Sequence, residues 1–149
     1  METALDIFRL IMRDEIAPEL RRMGFKGSGQ SFRLPSETHW VLLGFQKSGH
    51  SYPGLVRFTV NVMVVSKRTW TEARSERSYV PEQPSANTMW GPWLWQQRIG
   101  HLLPSRSDKW WEVDDRRSAE LAKREVLEGI RDYVLPAIQQ QLAPEAGGS

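Results

Sequence analysis

Residues 55–65 read Leu-Val-Arg-Phe-Thr-Val-Asn-Val-Met-Val-Val, and their alternation decides the fold. Val56, Phe58, Val60, Val62 and Val64 alternate with Arg57, Thr59, Asn61 and Met63. Successive side chains of an extended backbone point to opposite faces, so this segment is a strand with one packed face and one more polar face. Upstream, Ser48–Gly54 holds two glycines and a proline and suits a hairpin loop. Before it, residues 39–47 form a second strand, with Val41, Leu43 and Phe45 on one face and Trp40, Leu42, Gly44 and Gln46 on the other. A shorter strand, Ser31–Leu34, stops at Pro35, and the glycine-containing stretch Lys26–Gln30 reads as a turn.

Helices flank these strands. Leu5, Phe8, Met12, Ile16, Leu20 and Met23 recur every three or four residues and predict a helix over 3–23 with one apolar stripe. Thr3 is its expected N-cap, Pro18 its expected kink, and Gly24 its left-handed C-cap with Phe25 folding back. At the other end, Ala122, Val126, Ile130, Val134, Ala137 and Ile138 predict a helix to about Leu142, capped by Asp114 or Asp115 and bent at Pro136.

The chain between is less regular. Thr69-Trp70-Thr71-Glu72 fits a capping box and predicts a short helix over 70–76. Pro81, Pro84 and Pro92 then mark an irregular connection, so that 66–92 as a whole is either functional or mobile. Residues 93–103 are expected to return as a strand with Trp93, Trp95, Gln97 and Ile99 on one side. Lys109–Val113 follows as a short edge strand whose Trp110 and Trp111 point to opposite faces.

The order helix, strands, helix, with short connections between strands, implies antiparallel pairing, because a parallel sheet needs helical crossovers. The expected architecture is α+β: an antiparallel sheet of about four to five strands, both terminal helices on one face, and the 66–92 segment over part of the other. Residues 1–142 form a single domain on this reading, and 143–149 a disordered tail.

Composition narrows the chemistry. The 149 residues hold no cysteine, which excludes disulfides and thiolate sites and points to a reducing cytoplasm. No leader-like or membrane-length apolar run is present in the sequence. Twenty basic and 18 acidic residues leave a net charge of +2, which disfavours a nucleic-acid partner. Seven tryptophans are the unusual count; each buries about 150–250 Å², so most belong in a core, under a loop or at a binding surface.

Catalytic motifs fail on inspection. Gly27-Ser28-Gly29 opens like a dinucleotide fingerprint, but Phe32 breaks it and the segment runs from helix to strand, the reverse of what phosphate binding needs. Lys47-Ser48 has Gln46 where a phosphate loop needs glycine. His39, His50 and His101 are isolated, no nucleophile elbow occurs, and helix capping accounts for the aspartates beside Glu112. The expectation is a protein without enzymatic activity, metal or cofactor.

What remains is a polar, aromatic sheet face. Trp40, Gln46, Arg57, Thr59 and Asn61 share it by parity, and Trp93, Trp95 and Gln97 join it for a suitable strand order. Rings interleaved with amides and an arginine give contact area with oriented hydrogen bonds, the composition of a binding surface. The bland alternative is a second small core of tryptophans beneath the long connection.

Met23-Gly24-Phe25-Lys26, Ser31-Phe32, Gly44-Phe45-Gln46-Lys47-Ser48, Phe58-Thr59-Val60-Asn61-Val62, Trp110-Trp111 and Tyr133-Val134-Leu135-Pro136 together resemble the domain-of-unknown-function 4304 family of mostly bacterial proteins. The resemblance runs from about residue 5 to 142 and implies a small cytosolic α+β domain. It brings no catalytic residues, and its matching polar positions are Gln46, Lys47 and Asn61. Lys47 therefore completes the candidate surface. The leading expectation is a module that binds a protein partner, of a regulatory or toxin-neutralising kind. Single-stranded nucleic-acid binding by stacking on tryptophan, with Arg57, Lys47 and Arg98 on phosphates, is the runner-up. An enzyme with a small-molecule pocket beside Gln46 and Asn61 is the third.

Overall fold

The computed structural model describes residues 2–143, so the expected tail lies, beyond Ala143, outside the described residues. Its N-terminal helical segment comprises α1 (Ala4–Ile11), a π-turn at Met12–Ile16 and α2 (Ala17–Arg22). Thr3 caps it: the Thr3 hydroxyl accepts from the Asp6 amide at 3.1 Å while the Asp6 carboxylate accepts from the Thr3 amide at 3.0 Å. The π-turn explains how Pro18 is tolerated. Proline cannot donate to the preceding turn and crowds it, and the wider ring, in which the Ala17 amide reaches back to Met12, absorbs both defects. Gly24 then adopts φ 105°, which turns Phe25 back into the core.

Strands β1 (Lys26–Ser28) and β2 (Ser31–Arg33) form a tight hairpin, so the expected turn at 26–30 is shorter than predicted. Gly27 at φ 132° and Gly29 at φ 63° supply the backbone geometry. β2 pairs with β3 (His39–Lys47), and β3 pairs along its whole length with β4 (Val56–Ser66). On its far side β4 carries two short strands, β5 (Trp95–Arg98) beside residues 61–64 and β6 (Trp111–Val113) beside residues 56–58. All pairings are antiparallel, in the order β1-β2-β3-β4-β5 with β6 also on β4.

Between β4 and β5 stands α3 (Lys67–Glu76), which starts earlier than the Thr69 capping box predicted. The strand ends at Ser66 and the helix begins at once, so Ser66 is the cap and accepts from the Thr69 amide at 3.0 Å. The strand expected over 93–103 is also cut short: at Ile99–His101 the chain winds into a 3₁₀ turn in which Gly100 packs directly against the backbone of 107–109. The strand expected over 109–113 is confined to its last three residues, β6. The C-terminal segment repeats the N-terminal solution: α4 (Arg116–Gly129), a π-turn at Ile130–Val134, and α5 (Leu135–Leu142) containing Pro136. Asp115 is the cap, with its carboxylate 2.8 Å from the Ser118 amide.

Both terminal helical segments cover one face of the sheet, the α+β arrangement expected. Ile7, Phe8, Ile16, Leu20, Val126, Ile130, Val134 and Ile138 meet Val41, Leu43, Phe45, Val56, Phe58, Val60, Val62 and Val64 there. No helix among the described residues is long and apolar enough to cross a membrane.

Candidate functional site

The other face of β4 is covered by irregular chain. At its C-terminal end Met63 and Val65 meet Trp70, Ala73, Val80, Ala86 and Trp90, with Trp40, Leu42, Trp93 and Leu94 packed around them. Trp70 sits edge-on to Trp90, centroids 5.1 Å apart, and tilted against Trp93 at 5.7 Å. A chain without ladder partners still has carbonyls to satisfy, and the indoles do this. Trp70 Nε1 donates to the carbonyls of Pro81 and Glu82 at 3.0 and 3.2 Å, Trp90 Nε1 to Ser85 at 2.9 Å, and Trp93 Nε1 to Trp90 at 3.1 Å. Gln96 clamps the same connection, giving its amide protons to Ala86 and Thr88 at 3.1 and 2.6 Å.

Where this cover stops, a cleft of about 370 Å³ opens over Asn61, lined by Gln46, Asn87, Gln96, Arg98, His101 and Asp108 among others. Asn61 is buried at 7% exposure and donates from Nδ2 to Gln46 Oε1 at 2.8 Å and to Asn87 Oδ1 at 2.9 Å. Its Oδ1 accepts from Arg98 Nε at 3.4 Å. Asn87 reaches the sheet because Gly44 lies opposite Asn61: a Cβ at 44 would stand 2.6 Å from the Asn87 amide carbon. From there Asn87 Nδ2 donates to the Phe45 carbonyl at 3.3 Å. Arg98 also donates to Asp108 at 3.2 Å, and Trp110 Nε1 donates to the same carboxylate oxygen at 2.9 Å. Partial burial pushes the Asp108 carboxyl upward, but the Trp110 hydrogen bond and the Arg98 charge outweigh it and hold the group below its ordinary value. Trp110 lies under two guanidinium groups, Arg98 at 5.1 Å and Arg57 at 5.9 Å from its centroid.

The expected surface is thus divided. Gln46, Arg57 and Asn61 share the loop-covered face, although Trp110 stands between Arg57 and the cleft. Trp40 and Trp93 are on that face but belong to the tryptophan cluster, each ring carrying a cation, Lys67 at 5.2 Å and Arg77 at 5.0 Å. Three residues fall on the helix side instead, which corrects the predicted grouping. Trp95 pairs with Val64 and packs on the main core, Gln97 pairs with Val62 and only borders the cleft, and Lys47 pairs with Phe58. The expected parity of β5 holds, but its Trp95 side faces the helices: the two-residue steps from Trp95 to Gln97 and to the core residue Ile99 place it with the apolar set. For that reason Arg98 entered the sequence reading only as a phosphate contact of the nucleic-acid alternative and Gln96 is absent from it, while Asn87 and Asp108 are absent because they lie on irregular chain. The glycine in the middle of β3 was the available signal of a close approach.

Volume alone does not select this cleft. A larger groove of about 740 Å³ runs between the terminal helices, but its charges serve one another: Lys123 meets Glu15 at 2.9 Å and Glu120 at 2.8 Å. Exposed pairs of this kind are worth little and present an ordinary helical surface.

The model of a family described as Domain of unknown function (DUF4304) matches residues 16–140, and the chain belongs to that family. No curated protein and no solved structure matches the chain.

Proposed function

We propose that this member of the DUF4304 family is a non-enzymatic binding module that uses the cleft over Asn61 to hold a segment of a partner protein. The observation that carries this reading is the fixed polar floor: Asn61 is held by Gln46, Asn87 and Arg98, so the cleft's groups are ordered before any partner arrives. Preordered groups lose little entropy on binding, which is how a polar surface gains affinity. Asp108, whose carboxyl stays below its ordinary value against the pull of burial, is ionised at neutral pH and gives the cleft a hydrogen-bond acceptor. Stacking of nucleic-acid bases has less support than the sequence suggested. Trp70, Trp90 and Trp111 are buried, and Trp40, Trp93 and Trp110 carry cations on their rings.

The test is capture of partners from lysate by immobilised protein and by its Arg98→Ala variant, with circular dichroism as the check on folding. A partner retained by the native chain and reduced at least about tenfold by the variant, a change of about 1.4 kcal/mol, is the expected result. Equal capture by a folded Arg98→Ala variant would remove the cleft from recognition.

A further inference from the structure

The hydrogen-bond network over Asn61 has a direction. A guanidinium has donors and no acceptor, so the Asn61 atom facing Arg98 Nε is the carbonyl oxygen. The Asn61 amide nitrogen must then face Gln46 and Asn87, and both must answer with their oxygens. A second anchor agrees independently: the Phe45 carbonyl can only accept, which turns the Asn87 nitrogen toward it and its oxygen toward Asn61. All three side-chain amide oxygens are therefore turned into the network and engaged there. The Gln46 NH₂ group is turned away from Asn61 and has no acceptor among the described residues, and Arg98 Nη2 likewise has none.

The acceptor side is equally defined. Trp110 and Arg98 both donate to Oδ2 of Asp108, leaving Oδ1 without a donor among the described residues. The cleft thus offers donors at Gln46 and Arg98, joined through bonds of 2.8, 3.4 and 3.2 Å to an acceptor at Asp108. Of its charged and titratable groups, Arg98 and Asp108 neutralise each other and His101 lies beside them. A ligand carboxylate would meet the donors but also the Asp108 charge, whereas a neutral amide satisfies both sides with its carbonyl and its N–H.

We propose that the cleft recognises an uncharged amide of the partner protein, its carbonyl on Gln46 and Arg98 and its N–H on Asp108. This rests on the protein-binding reading and names the chemistry of recognition.

The experiment titrates ¹⁵N-labelled protein with three blocked amino acids, the N-acetyl methylamides of glutamine, glutamate and alanine. Shifts of the Gln46 side-chain NH₂ and Arg98 Nε resonances are the readout. The glutamine probe is expected to bind at least about tenfold more tightly than the glutamate probe at neutral pH. An alanine probe equal to glutamine assigns the site to backbone amides, and a weaker one assigns it to side-chain amides; either supports the proposal. The exposed Asp108→Asn variant, checked for folding by its amide spectrum, is expected to abolish the preference over glutamate. Tighter binding of glutamate, no shift with any probe, or an unchanged preference in Asp108→Asn would overturn it. Failure here with partner capture still lost in Arg98→Ala would sink the amide chemistry and leave the binding reading standing.

Discussion

On the helix side of β4, Val56, Phe58, Val60, Val62 and Val64 meet helices whose backbone bonds are internal, and every contact they need is apolar. On the opposite side Thr59, Asn61, Met63 and Val65 are buried almost as completely, yet beneath chain of which only α3 is regular. Irregular chain has backbone carbonyls to satisfy, so it brings polar groups with it: indole N–H groups, the amides of Asn87 and Gln96, and Lys109, whose carbonyl accepts from Thr59 at 2.6 Å. The polar cleft follows from this mode of cover. A sheet face sealed by a loop is left with hydrogen-bonding groups at the loop's margin, and those are the groups on which the proposed recognition rests.

The comparison breaks most visibly at Phe58. Its ring is 1% exposed and lies against Phe8, Phe45 and Trp111. Phe58→Ala should cost about 3–5 kcal/mol in urea unfolding, a large share of the ~5–15 kcal/mol typical of a domain. A loss below about 1 kcal/mol would show that the helix-side core does not dominate stability.

Trp70→Phe probes the loop side. Most of the ring volume stays, but the indole N–H shared by the Pro81 and Glu82 carbonyls is lost, at about 0.5–1.5 kcal/mol. The effect should be local. Hydrogen exchange is expected to quicken in residues 78–94 while the amides of β4 and α4 keep their protection. Uniform acceleration would mean that the two faces unfold as one unit.

Gly44→Ala is subtler, because the added methyl displaces Asn87, which is exposed and can swing away. About 1 kcal/mol is expected, the low end of overpacking costs, with loss of the Asn87 bonds to Asn61 and Phe45. In the Asn87→Ala background the same substitution should be close to neutral. A double-mutant cycle measures this coupling, and additive effects would show that Gly44 does not serve Asn87.

These positions also show what could be read from residue order. Elements with a repeating pattern were legible: the alternation at 55–65 and the three- and four-residue steps of both helices placed the main core. The two prolines announced their defects, though a π-turn absorbs each where a kink was expected. The loop side was legible only where it is strand. Gln46, Arg57 and Asn61 were placed by parity, whereas Asn87 and Asp108 reach the cleft by tertiary routes that no local period encodes. The tryptophans were ambiguous because burial under a loop and exposure at an interface ask for the same residue.

The smallest effect concerns pH, and it separates the faces by where their carboxylates act. Asp115 caps the helical segment on the apolar side, and the bond its carboxylate accepts from the Ser118 amide is the largest of the influences that hold it below its ordinary value. Asp108 is depressed on the cleft side, where burial opposes the hydrogen bond from Trp110 and the charge of Arg98. A carboxyl with a folded pKa below its unfolded value contributes stability that is present above the unfolded value, about 3.9, and is lost as pH falls through the folded one. Asp115→Asn keeps a competent cap but removes the titration, so its melting temperature should fall less steeply than the native chain's as pH drops from about 5 to about 2. Asp108→Asn should flatten the same limb while leaving the exchange protection of α4 unchanged, since its partners lie across the sheet. If Asp115→Asn instead follows the native acid limb throughout, the cap carboxylate gains no more in the folded chain than in the unfolded one. The acid sensitivity of the apolar side would then lie elsewhere, with Asp6 at the start of α1 the next group to replace.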